Sequence, residues 1–191
     1  MSIKSKKLLY HLTSLDNLLS ILENGLLARN ELEKFDDVAD PDLIDFSAEH
    51  GLTKYIRFHF FSQNPFDGDV QKRNPEKEFI YICIHREFAK KSNFKIIPRH
   101  PKSMNVLTLY DYTEGIDLIE WDIMDQRDYL DRNCRNICMA ECISPVSIMP
   151  TEFHSIYVRD DDLEEYVRDM ANEIIGAIPF HINVNPCMFL D

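Results

Sequence analysis

Leu8-Leu9-Tyr10-His11-Leu12-Thr13-Ser14-Leu15-Asp16-Asn17-Leu18-Leu19-Ser20-Ile21-Leu22-Glu23-Asn24-Gly25 holds a strand, a cap, a helix and a stop in succession. Leu8 to Leu12 reads as a short apolar strand. Ser14 stands at an N-cap, where a hydroxyl accepts a free helix N–H, and Leu15, Leu18, Leu19 and Leu22 repeat at helical spacing. Asp16 complements the positive end of the helix dipole, and Gly25 ends the helix. His11 and Thr13 lie where the strand meets the helix N-terminus, whose free N–H groups suit a phosphate-bearing ligand. A lone histidine there is more often an ordinary surface residue.

Outward from this unit, residues 29–53 are acidic and irregular, with Pro41 placed to open a helix that ends at Gly51. Lys54 to Ser62 is an aromatic, branched strand. Gln63 to Lys77, punctuated by Asn64-Pro65, Gly68 and Asn74-Pro75, reads as a long loop and so as a candidate binding element. Further strands are expected at Glu78–Ile84, Phe94–Ile97, Met139–Ser144, Phe153–Val158 and Phe180–Val184. Short helical stretches are expected at Glu87–Lys91 and Asp117–Tyr129, and Asp160 to Asp162 cap an amphipathic helix through Ile175. Strands and helices mix without regular alternation, so the class is α+β, in one domain spanning residues 1–191.

With 45% hydrophobic and 28% charged residues the chain is an ordinary globular protein, which excludes disorder as its default. Lys4, Lys6 and Lys7 are followed by no apolar run long enough for a signal peptide or membrane span, so a cytoplasmic location with no membrane is expected. The odd set of five cysteines fits a reducing compartment. The net charge of −12 is unevenly spread: residues 51–102 hold 11 Lys/Arg against 5 Asp/Glu, and the rest hold 10 against 28. A basic sector on an acidic body is able to meet a polyanion through one face.

The sequence has no Gly-rich phosphate loop, Gly-x-Ser-x-Gly elbow or His-Glu-x-x-His, which disfavours dehydrogenases, P-loop enzymes, lipase-like hydrolases and zincins. Cys134, Cys138 and Cys142 would share a face if helical, but they lack the paired spacing of a zinc site, so no metal is expected. Glu141 sits inside the apolar strand Met139-Ala140-Glu141-Cys142-Ile143, on one face with Met139 and Ile143. A carboxylate half-buried in this way is either paired structurally or held for chemistry. Aromatics of Arg57-Phe58-His59-Phe60-Phe61 belong first to a core, although one is also suited to stack on a flat ring.

Four blocks, in order, carry a family resemblance. Leu9-Tyr10-His11-Leu12-Thr13-Ser14-Leu15-Asp16-Asn17-Leu18 running into Ser20-Ile21-Leu22-Glu23-Asn24-Gly25-Leu26 resembles the opening of the DarT family, DNA ADP-ribosyltransferase toxins of bacterial toxin–antitoxin systems. Tyr55-Ile56-Arg57-Phe58-His59-Phe60 with Asn64-Pro65, then Ile119-Glu120-Trp121-Asp122-Ile123 with Arg127-Asp128-Tyr129, and finally Ala140-Glu141-Cys142-Ile143 are similar to later blocks of that family. The resemblance implies a compact ADP-ribosyltransferase fold, two small packed sheets with flanking helices and NAD in the cleft between them. It makes Glu141 the catalytic carboxylate and His11, Thr13 and Asn17 NAD-binding residues, with His59 and Phe60 as further candidates from the aromatic strand. Single-stranded DNA would be the acceptor, on the basic sector, and a macrodomain-type antitoxin the protein partner.

The chain departs from that pattern in one informative place. An arginine that family members carry upstream of the aromatic strand is missing from Lys34 to Lys54, while Arg57 stands where proline is usual and His59 where tyrosine is usual. Arg57 is therefore the candidate to supply the site's positive charge. RNA or protein as acceptor, a degenerate binding domain and a cysteine-based metal regulator are the competing readings.

Overall fold

In a computed structural model that describes residues 2–190, the chain runs β1 (Leu8–Ser14), α1 (Leu18–Asn24), α2 (Pro41–Glu49), β2 (Ile56–His59), α3 (Pro65–Arg73), β3 (Phe79–His85), α4 (Arg86–Lys91) and β4 (Lys95–Ile97). It continues with β5 (Tyr110–Asp111), α5 (Tyr112–Leu118), α6 (Trp121–Met124), α7 (Arg132–Cys138), β6 (Glu141–Ser144), β7 (Ser155–Val158), α8 (Asp161–Ile175) and β8 (His181–Val184). The α+β expectation stands. The two-sheet expectation needs a correction: the strands form one eight-stranded sheet in the order β5-β4-β6-β2-β1-β3-β7-β8. All pairs are antiparallel except β7–β8. The sheet nevertheless has two four-stranded halves, because β1 pairs with β2 only at Tyr10↔His59. The halves meet edge to edge and diverge from that point, which leaves a gap between β1 and β2.

Each face of the sheet is filled differently. Leu9, Ile56, Phe58, Ile80, Ile82, Ile84, Ile96 and Cys142 join the main core, which α1, α6, α7 and α8 help to close. The opposite face carries two smaller apolar clusters, one around Leu12, Phe79, Tyr81 and Phe189 and one around Leu52, Ile97 and Ile143. Between these two clusters lie Arg57, His59 and Glu141. Gly25 ends α1 with φ 81°, and a Cβ there would stand 2.7 Å from the Ile148 carbonyl oxygen beside the Leu26↔Ile148 bridge.

Several segments differ from the sequence expectation. Gln63 to Lys77 is not a loop: Asn64 caps α3, its Oδ1 accepting from Asp67 N, and Pro65 opens the first turn. The helix expected over Asp117–Tyr129 is two short helices, α5 and α6, broken at Ile119–Glu120. Cys142 lies in β6, so the three cysteines do not share one helix face. Among the described residues no three His, Cys, Asp or Glu side chains are placed to share a metal ion.

The start of α3 buries a carboxylate. Tyr81 Oη and Asn64 Nδ2 donate to Asp67 Oδ2 at 2.9 and 2.7 Å, while Oδ1 has no partner. Burial pushes the Asp67 carboxyl up to about 7, against the pull of those two hydrogen bonds. Its folded-state pKa therefore lies above the unfolded value. Stability from this group is greatest below the ordinary carboxylate range and is lost as pH rises toward 7. Asp67→Asn is expected to flatten that loss: between about pH 5 and about pH 8 its Tm falls less than the parent's. Parallel Tm profiles for the two proteins would contradict the assignment.

Candidate active site

Strand alternation builds the centre of the site. On β2, Ile56 and Phe58 turn into the main core, so Arg57 and His59 turn to the other face. The β2–β6 register sets His59 opposite Glu141 and Arg57 opposite Ile143. Arg57 Nη1 stands 3.5 Å from Glu141 Oε1, and Glu141 is 5% exposed. Glu141 Oε2 is buried with no partner. Burial raises the Glu141 pKa and the Arg57 charge partly offsets the rise. A carboxylate oxygen left unpaired in a buried site is costly and is ready to accept a hydrogen bond from a ligand.

Two histidines flank this pair in fixed tautomers. His11 stands in the gap between β1 and β2, its Nδ1 2.8 Å from the Arg57 carbonyl oxygen. His59 Nδ1 is 3.1 Å from the Ala140 carbonyl oxygen. A carbonyl only accepts, so each Nδ1 carries the proton and each Nε2 is a bare acceptor while the ring is neutral. Burial lowers the pKa of both, that of His59 to about 4, so both rings are neutral at physiological pH.

A cleft enclosing about 1280 Å³, part of it open to solvent, runs over these groups. His11, Thr13, Asn17, Arg57, His59 and Glu141 all line it, which brings six of the seven residues expected from sequence together. Phe60 is the correction. It is 1% exposed in the main core, edge-on to Trp121 at 5.2 Å and under the Arg86 guanidinium at 5.0 Å. Two residues past Phe58, it follows that residue into the core and has no face toward the cleft.

Asn17 lines the cleft with its polar atoms already engaged. Oδ1 accepts from Asp36 N at 2.7 Å, and Nδ2 donates to Asp36 O at 3.0 Å and to Thr13 Oγ1 at 3.1 Å. The amide thus ties down the segment after residue 28, whose Leu32, Phe35, Asp36 and Val38 form part of the cleft wall. Lys77 holds the same Asp36 through its carboxylate, and Arg29 pairs with Asp37. Asn17→Ala is expected to raise the KM for the cleft's ligand roughly tenfold with kcat little changed, since it loosens that wall and removes no reacting group. An unchanged KM would contradict this role.

Arg29, Ser47, Phe66 and His100 also line the cleft and were not among the sequence candidates. Arg29 lies upstream of β2 and brings a second arginine to the cleft beside Arg57. The basic sector is less free than its composition suggests. Arg73, Lys77, Lys91, Lys95 and Arg99 are paired with Asp40, Asp36, Glu87, Asp111 and Glu120. Lys54 and Lys102 stand over the Tyr55 and Phe46 rings instead.

Known proteins resemble this chain in sequence and in fold. The family described as "ssDNA thymidine ADP-ribosyltransferase, DarT" matches residues 10–190. A DNA ADP-ribosyl transferase of Escherichia coli O127:H6 (strain E2348/69 / EPEC) is 26% identical over 143 residues, which span 65% of this chain and 65% of that protein's length. Thermus sp. 2.9 DarT in complex with ADP-ribosylated ssDNA superimposes with a TM-score of 0.83 at 17% identity, over 96% of each chain. The same protein in complex with NAD+ gives 0.78 at 17% identity, over 97% of this chain and 98% of that one. Thermosipho africanus DarTG in complex with ADP-ribose gives 0.71 at 19% identity, over 96% of this chain and 51% of that one. With a family match over residues 10–190, nearly its whole length, this chain belongs to the DarT family of ADP-ribosyltransferases.

Proposed function

We propose that this protein transfers ADP-ribose from NAD to a thymidine base of single-stranded DNA, as the toxin of a toxin–antitoxin pair. The observation that carries the reading is the buried Glu141, with one oxygen facing Arg57 and the other unpartnered, in a cleft also lined by His11, Thr13 and His59. The residues present fit NAD. Glu141 Oε2 lacks a donor that a ribose hydroxyl supplies, and the bare Nε2 atoms of His11 and His59 accept from a carboxamide or a hydroxyl. NAD itself supplies the activated C1–nitrogen bond and a neutral leaving group, nicotinamide.

The chain's own groups then have distinct tasks. Glu141 orients the ribose and stabilises the positive charge that develops at C1 as nicotinamide departs with the bonding electron pair. The Arg57 charge partly offsets the burial that raises the Glu141 pKa. His11 and Thr13 hold the NAD, and Asn17 acts through the Asp36 segment. The incoming base forms the new bond to C1 and loses its proton.

A macrodomain-type antitoxin is the proposed protein partner, by the family reading. The cytoplasm is the proposed location, where NAD and single-stranded DNA meet. Five free thiols suit that compartment, and no helix among the described residues is long and apolar enough to cross a membrane. Acceptor competition tests the substrate: labelled NAD is offered with single-stranded DNA, duplex DNA, RNA and protein together. Label on single-stranded DNA supports the reading. Label on RNA or protein moves the acceptor while keeping the enzyme, and NAD binding without transfer identifies a binding domain.

A further inference from the structure

We propose that Ser47 is a positioning residue for the transfer reaction: from α2, across the cleft, its hydroxyl fixes the Arg57 guanidinium beside Glu141. The inference rests on the reading of Glu141 and Arg57 given above. Arg57 Nη2 donates to Ser47 Oγ at 2.5 Å, and the Ser47 hydroxyl donates in turn to the Leu43 carbonyl one turn earlier. The acceptor lone pairs of Ser47 are thus turned toward Arg57, and its proton is spent on the helix.

The placement is unusual for a helix. Ser47 is the buried residue of α2, although Leu43, Ile44 and Phe46 are available in the same turns. An amphipathic helix buries its apolar residues, and a mid-helix serine bonded to the carbonyl four residues back slightly weakens the helix. Helix stability therefore does not explain a serine here. Its hydroxyl instead meets a long side chain whose other polar side-chain partner among the described residues is Glu141, and at 3.5 Å that ion pair is too loose to fix one rotamer.

The arrangement joins an arginine on β2 to a hydroxyl on α2. The strand supplies the cation, and the helix in the upstream segment supplies the hydroxyl that aims it. Because α2 follows the segment pinned by Asn17, that part of the cleft wall and the Arg57–Glu141 pair are held in one chain of contacts.

The test compares Ser47→Ala and Ser47→Thr with the parent and with Glu141→Ala, reading kcat, KM for NAD, the pH profile and Tm on the full chain. Ser47→Ala is expected to lose roughly tenfold in kcat with less change in KM, while its Tm is kept or raised. Its acid limb should move to higher pH, because a loosened Arg57 no longer offsets the burial of Glu141 as well. Ser47→Thr, which keeps the hydroxyl, is expected to restore both kcat and the acid limb. Parent-like kcat and pH profile in Ser47→Ala, with Glu141→Ala inactive, would overturn the role of Ser47 and leave the site reading intact. A kcat loss with a lowered Tm and an unmoved acid limb would overturn it too, by showing a merely structural role. Full activity in Glu141→Ala would overturn the site reading and this proposal with it.

Discussion

Glu141→Gln is expected to lower kcat by two to three powers of ten, on the order of the loss when one preorganised electrostatic group is removed from a buried site. The amide keeps the shape of the side chain and still accepts a hydrogen bond, so NAD affinity changes little. What it loses is the negative charge. Glu141 lies 5% exposed on β6, where little water screens it from a positive centre forming in the cleft. Burial raises the pKa of the parent residue, so parent activity should fall with decreasing pH above the ordinary carboxylate range. The glutamine variant should lack that limb. Nicotinamide release at saturating NAD, with a separate binding titration, checks both halves of the expectation. A variant within about tenfold of the parent would remove Glu141 from the chemistry.

Arg57→Ala carries the second largest effect, and its form is specific. Truncation leaves a buried carboxylate with no countercharge, which costs more than a surface pair would because the remaining charge stays desolvated. The folded protein responds by protonating Glu141, whose pKa the Arg57 charge otherwise holds down. At neutral pH a loss on the order of 10- to 100-fold in kcat is expected, recovered in part as pH rises, with the acid limb displaced upward. Arg57→Lys should recover less than charge alone implies. One Arg57 nitrogen faces Glu141 and another faces Ser47, a fork that a single ammonium does not reproduce. Equal losses at every pH would show that Arg57 acts other than through Glu141.

The outcome for these residues shows how the sequence carried the site. Glu141 was legible because a carboxylate inside Met139-Ala140-Glu141-Cys142-Ile143 conflicts with its apolar neighbours, and the structure places it buried with one oxygen unpaired. Arg57 was legible as a departure from a family pattern, yet its partner was not. Ser47 is an unremarked serine in an acidic helix, and only the fold brings it onto the Arg57 fork. Phe60 lies one residue past β2, where the chain carries both Phe60 and Phe61 into the main core, so the aromatic-rich block serves packing before it serves the cleft.

Asn64-Pro65 carries two meanings: it is a loop signal, but an asparagine followed by proline is also an N-cap and a first-turn residue, and that pairing starts α3. The charge asymmetry of residues 51–102 was visible, but not its neutralisation. Asp36 and Asp40, which pair with Lys77 and Arg73, come from a distant acidic segment and reach them only through the fold. That part of the cleft wall was invisible for the same reason, since Asn17 binds Asp36 through its main chain and main-chain groups carry no residue code.

The most direct test of the central claim is a single incubation of the purified protein with labelled NAD and a thymidine-containing single-stranded oligonucleotide, alongside Glu141→Ala. Label on the oligonucleotide, with matching nicotinamide release and the loss of both in the variant, is the result expected. An unlabelled oligonucleotide with no nicotinamide released, or equal label from the variant, would contradict the assignment of this cleft as an ADP-ribosyl transfer site.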